Sequence, residues 1–184
     1  GVRCWGPLSV AVAPPSGSVR YESVTAGWSL ACALRSDGGV DCWGDGSTPQ
    51  TVPAGTFTAV DAGDGHACAV DSSGSLSCWG ANGEGQATPP AGTFTDVAAG
   101  ALHTCAVRAN GTLACWGRNS SGQATPPAGN TYTRVDVLST HSCAERSDGP
   151  PVCWGSGSRY GFWNNSPVAM AHIATGPEHN CGIR

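Results

Sequence analysis

The chain has 184 residues, 27 of them Gly and 13 Pro, with 40% apolar and only 12% charged positions. This is the balance of a single turn-rich β domain with seven Trp to fill a core. The nine basic residues are all Arg and stand against 13 acidic ones, a net charge of -4. The absence of Lys excludes a Walker-type phosphate loop, a Schiff base and a pyridoxal site, and an acidic chain with no basic run is not a nucleic-acid binder.

Taken in chain order, the sequence falls into repeated units: a half unit over 1–20, full units over 21–56, 57–93, 94–131 and 132–169, and a second half unit over 170–184. Tyr21, Phe57, Phe94, Tyr132 and Met170 open the units at steps of 36, 37, 38 and 38 residues. Six residues on stand Gly27, Gly63, Gly100, Leu138 and Gly176, and nine residues on stand Leu30, His66, His103, His141 and His179. Short alternating stretches such as Phe57–Val60 and Phe94–Val97 read as strands, the Pro- and Gly-rich runs between units read as loops, and no segment reads as a helix. No stretch approaches the roughly 20 apolar residues of a membrane span. The chain opens on Gly1 with no signal sequence, so it is expected to be a processed protein or a piece of one.

Ten Cys repeat in the same rhythm. Cys32 and Cys42, Cys68 and Cys78, Cys105 and Cys115, and Cys143 and Cys153 form four pairs of constant spacing, with Cys4 and Cys181 left at the ends. Trp-Gly follows the second Cys each time, at Trp5, Trp43, Trp79, Trp116 and Trp154. Between paired Cys the midpoint is Asp37, Ser73, Asn110 or Asp148, followed by Gly38, Gly74, Gly111 or Gly149. A type I turn closed by a left-handed Gly fits this pattern and sets the two Cys opposite each other. Facing Cα atoms on antiparallel strands lie about 4.5–5.5 Å apart, which suits a disulfide rung.

A unit of this size cannot bury both faces of its own sheet, so neighbours must stack, and a β-propeller is the usual closed solution. The strings DAGDGHACAVDSSGSLSCWGANGEGQ and AAGALHTCAVRANGTLACWGRNSSGQ resemble the regulator of chromosome condensation repeat, in the short form of propeller-type β-lactamase inhibitor proteins. The Cys-containing version also looks like the repeats of crinkly-type receptor ectodomains. The resemblance implies a propeller of four-stranded blades that binds macromolecules and has no chemistry of its own. The fold expected is therefore all-β, with five blade equivalents and one disulfide inside each blade. The three residues before Cys4 and the three after Cys181 look like one hairpin cut at its tip, so the two halves would complete one blade with a Cys4–Cys181 rung. That blade could close within one chain, between neighbouring copies, or within a longer tandem protein.

His66, His103, His141 and His179, each two residues before a Cys, would permit a zinc set, but nine intervening residues across a hairpin and no Cys-x-x-Cys favour disulfides, and no metal or cofactor is expected. The Trp of each Cys-Trp-Gly reads as blade packing. Neither a nucleophile elbow nor a poised carboxylate pair is present, so no enzyme is expected. Asn110-Gly-Thr, Asn119-Ser-Ser and Asn164-Asn-Ser are glycosylation sequons placed in a turn or loops. Partner-binding residues are sought where the repeat breaks. In the fifth unit these are Arg159, Tyr160, Phe162 and Trp163, where its relatives have Gln86-Ala87 and Gln123-Ala124; in the first it is Trp28, whose cognates are Asp64, Ala101 and Thr140 or their neighbours. The function expected is a secreted, non-enzymatic structural propeller whose terminal half-blades build a glycosylated fibre head to tail, or a monomeric propeller that binds an extracellular protein through its rim loops.

Overall fold

The computed structural model describes residues 2–4, 18–44, 51–129, 131–156, 170, 172–175 and 180–183. Every regular element among them is a β-strand. Four three-stranded antiparallel sheets follow one another: β1 (Tyr21–Ala26), β2 (Leu30–Arg35) and β3 (Val40–Gly44); β4 (Phe57–Ala62), β5 (His66–Asp71) and β6 (Leu76–Gly80); β7 (Phe94–Ala99), β8 (His103–Arg108) and β9 (Leu113–Gly117); β10 (Tyr132–Val137), β11 (His141–Arg146) and β12 (Val152–Gly155). A fifth sheet has two described strands, β13 (His172–Thr175) and β14 (Asn180–Ile183). No helix of the described residues is long and apolar enough to cross a membrane.

Each sheet packs on the next through its first two strands, so β4 lies against β1 and β2, β7 against β4 and β5, and β10 against β7 and β8. The second strand is consequently covered on both faces. β5, β8 and β11 are buried at five successive residues, and their alternating Cys and Ala give the neighbouring sheets room to approach. The opening aromatics Phe57, Phe94 and Tyr132 are buried as well, and their amides donate to the hairpin tip of the preceding sheet, at the Gly38, Gly74 and Gly111 carbonyls over 2.7 to 2.8 Å.

Cys32, Cys68, Cys105 and Cys143 face and are bonded to Cys42, Cys78, Cys115 and Cys153, with Cα atoms 4.0 to 4.1 Å apart. The approach is closer than the typical facing distance. The Arg35 amide donates to the Gly39 carbonyl, so alternation along the ladder puts Cys32 and Cys42 at a non-hydrogen-bonded pair, where side chains come nearest. Cys4 and Cys181 are exposed and unbonded. Ala174 faces Cys181 as Asp136 faces Cys143, so β13 and β14 keep the register of the other sheets as far as their second strand.

Two expectations are corrected. Gly38, Gly74 and Gly111 adopt φ of 84°, 84° and 80°, but Gly149 is not left-handed. Pro150 disfavours a helical conformation at the residue before it, and together with Pro151 it delays β12 to Val152. Second, the second and third sheets, whose following segments are described, have three strands where the resemblance implied four. Residues 81–93 and 118–129 form hydrogen-bonded turns instead, because Pro89-Pro90 and Pro126-Pro127 carry no amide to donate to a ladder.

Candidate binding site at the mouth of an axial cavity

The turn that joins the first and second strands is closed by a short backbone bond from Gly27 to Leu30, Gly63 to His66, Gly100 to His103 and Leu138 to His141, over 2.8 to 3.1 Å. These turns crowd together at one end of the stacked sheets. A Cβ on Gly27 would overlap the carbonyl of Gly63, one on Gly63 the carbonyl of Gly100, and one on Gly100 the carbonyl of Leu138. Close backbone approach, and no left-handed φ, is what demands Gly at these three positions.

The crowded turns and the inner strands border a half-open cavity of about 490 Å³, lined by β1, β4, β7, β10 and Thr175 of β13. At its mouth the repeat places Trp28, Asp64, Ala101 and Ser139; Ser139, and not Thr140, is the fourth cognate. Trp28 is 81% exposed, and its amide donates to Asp64 Oδ1 over 3.3 Å.

Deeper in the wall, carboxylates hold neighbouring sheets together. Asp61 accepts from the Thr25 hydroxyl of the first sheet and, over 2.7 Å, from the Ala99 amide of the third. Asp136 accepts the Thr175 amide over 2.6 Å and its hydroxyl over 3.1 Å. Farther along the strands Asp96 accepts the Val135 amide over 2.9 Å, and Glu145 the Ile173 amide over 2.7 Å. Burial pushes Asp61 and Asp96 up to about 6 and raises Asp136 and Glu145 as well. No three His, Cys, Asp or Glu among the described residues converge on a metal position.

The repeated His are part of a second inter-sheet set. His66 Nε2 lies 2.8 Å from Thr104 Oγ1, and that hydroxyl donates to the Gln86 carbonyl, which also accepts the Trp116 indole N–H over 2.7 Å. His103, Ser142, Gln123 and Trp154 repeat the arrangement one unit later. Because the hydroxyl hydrogen is committed to the carbonyl, Nε2 carries the proton that binds the hydroxyl oxygen. Burial lowers both His to about 4, so they stand neutral near pH 7. The first unit has Leu30 at the His position, and the second has Ala67 where the next two have Thr104 and Ser142. Leu30 and Ala67 share one apolar cluster, so the absence of the donor and of its acceptor go together.

The structure places the other site residues apart. Asn110 is exposed at a hairpin tip, with Oδ1 accepting from the Thr112 amide and hydroxyl. Asn119 is exposed in a loop that its side chain closes, donating to Thr125 Oγ1 and accepting the Ala124 amide, just as Asn82 does without being a sequon. Arg159, Tyr160, Phe162, Trp163 and Asn164 lie outside the described residues. Sequence reasoning missed the carboxylates as inter-sheet ties, although Asp61 and Asp136 share one repeat position and offered the signal.

The Regulator of chromosome condensation (RCC1) repeat family matches residues 21–48, 57–86 and 94–123. No curated protein matches the chain. Among solved structures, the entire ectodomain of the Physcomitrella patens receptor kinase CR4 is similar at 27% identity and a TM-score of 0.78, over 94% of this chain and 49% of that one. The crinkly ectodomain of the Arabidopsis thaliana receptor kinase ACR4 is similar at 26% identity and a TM-score of 0.63, over 74% of this chain and 50% of that one. Prp20p from Saccharomyces cerevisiae shares the fold at 17% identity and a TM-score of 0.68, over 93% of this chain and 52% of that one. The chain thus spans about half the length of these structures. Three matched repeats, a disulfide-laddered all-β architecture and propeller-type neighbours agree: residues 21–123 of the chain carry repeats of the regulator of chromosome condensation type.

Proposed function

We propose that this chain is an extracellular, non-enzymatic protein-binding propeller module that engages its partner at the mouth of the axial cavity. The observation that carries the reading is Trp28, 81% exposed on a turn whose fold does not require it: its cognates Asp64, Ala101 and Ser139 occupy the same turn with small or polar side chains. An exposed aromatic beside a concavity is the usual anchor of a protein interface. Four disulfides suit an oxidising compartment, and both crinkly neighbours are receptor ectodomains. Display of the chain against secreted proteins of its source tests this. A partner whose affinity falls at least tenfold on Trp28→Ala supports the site, and partners indifferent to that change overturn it.

A second reading is head-to-tail self-assembly through the terminal half-blades. It is favoured by the register of β14, where Cys181 stands unbonded at the position that carries a rung in every other sheet, and by the exposed Cys4 thiol. Sedimentation over a range of concentrations, with a non-reducing peptide map, decides it. A Cys4–Cys181 bond between chains supports the fibre, and a monomer at every concentration with both thiols free overturns it.

A further inference from the structure

Resting on the protein-binding reading, we infer that the cavity mouth receives a basic side chain, an Arg or Lys carried on a protruding loop of the partner protein. Among the described residues the cavity lining includes three carboxylates, Asp61, Asp64 and Asp136, and no Arg, Lys or His. Within that described wall the negative field has no counter-charge. The carboxylates do not converge as metal ligands would, and Asp61 and Asp136 are held along the wall by the backbone amides of neighbouring strands. What they present is a broad negative wall suited to an extended organic cation.

Trp28 adds the second half of the recognition. Its ring projects into solvent, while its own amide is bonded to the Asp64 carboxylate, so an aromatic face and an anion are held side by side at the entrance. A guanidinium or ammonium over a Trp face is attracted by the ring quadrupole, and the adjacent carboxylate supplies the ion pair. A volume of about 490 Å³ admits a long side chain with water and excludes a folded element. The shape thus calls for a single projecting residue with a flexible stem.

The test is selection of disulfide-cyclised nonapeptides displayed on phage against the folded chain, with the Cys4 and Cys181 thiols alkylated. The enriched peptides are expected to share an Arg or Lys. Their affinity is expected to fall at least tenfold on Trp28→Ala and on Asp64→Asn, and to stay within about threefold on Trp28→Phe. Trp28→Ala leaves the net charge unchanged and so separates the site from general attraction to an acidic protein. Replacing the shared basic residue by norleucine should abolish binding. Peptides without a basic residue, or peptides that bind Trp28→Ala and Asp64→Asn undiminished, overturn the inference. If such peptides compete for another face, the protein-binding reading itself survives, and if no peptide binds at all both readings fall.

Discussion

At the scale of single residues, the tightest demands come from backbone crowding and from donor and acceptor pairs that change together. Gly63 is pressed against the Gly100 carbonyl, whereas Gly83 has no atom within 4 Å of where a Cβ would sit. Gly63→Ala is expected to cost about 3 kcal/mol because backbone must shift, and Gly83→Ala to be neutral or stabilising by up to about 1 kcal/mol, both read by urea denaturation. His103 and Ser142 should behave as a unit. Either His103→Leu or Ser142→Ala alone mismatches a polar group with an apolar one, while the pair recreates the Leu30 and Ala67 contact of the first sheets. A double-mutant cycle should return a coupling of about 1 kcal/mol or more, with the double variant costing less than the two single changes added together. The Cys rungs and their facing register were legible in the sequence because a disulfide ties spacing directly to geometry. The roles of His66, Thr104 and Gln86 were not, since each bond in that set joins residues of different units. The repeat shows which positions recur, but not which neighbour they reach.

At the scale of elements, the four hairpins are not equal. The first three close with a left-handed Gly and a backbone bond across the turn, from Arg35 to Gly39, Asp71 to Ser75 and Arg108 to Thr112. The fourth replaces that closure with Pro150-Pro151 and pairs only from Ala144 and Val152 inward, held at its tip by the Arg146 and Asp148 ion pair at 3.0 Å. Amide exchange should therefore be fastest at the 146–152 tip and slower at 108–113, with the difference surviving in intact, fully oxidised protein. The Asp-Gly midpoint made the fourth hairpin look like its siblings; the two residues after it decide otherwise. Strand order and hairpin pairing were read correctly from alternation and turn residues. The lack of a fourth strand in the second and third sheets was not, because the resemblance supplied it where two prolines in the following loop disfavour it.

For the molecule as a whole, the buried ionisable groups pull stability in opposite directions with pH. Asp61 and Asp96, raised from 3.8 to about 6, favour the folded state while protonated, and that contribution is lost as pH rises from about 4 through 6. His66 and His103, lowered from 6.5 to about 4, favour the folded state while neutral, and their contribution is lost as pH falls from about 6.5 through 4. The two sets offset each other across this window. A variant carrying His66→Leu with Thr104→Ala and His103→Leu with Ser142→Ala keeps only the carboxylates. Relative to the wild type it should gain stability steadily as pH is lowered from 6.5 to 4, as followed by denaturant midpoints at fixed ionic strength, and a constant difference would refute the assignment.

One set of ties between sheets also has a direction. Asp61, Asp96 and Asp136 each hold an amide of the sheet that follows, and the hairpin tips at Gly38, Gly74 and Gly111 do the same for the next opening aromatic. In these contacts the earlier unit owns the acceptor and the later one brings the donor. A ribosome delivers the chain in that same order, so each strand that emerges finds its docking groups already fixed on the unit made before it. Through these contacts each unit can be laid down like masonry, one course on the last, without waiting for residues not yet translated.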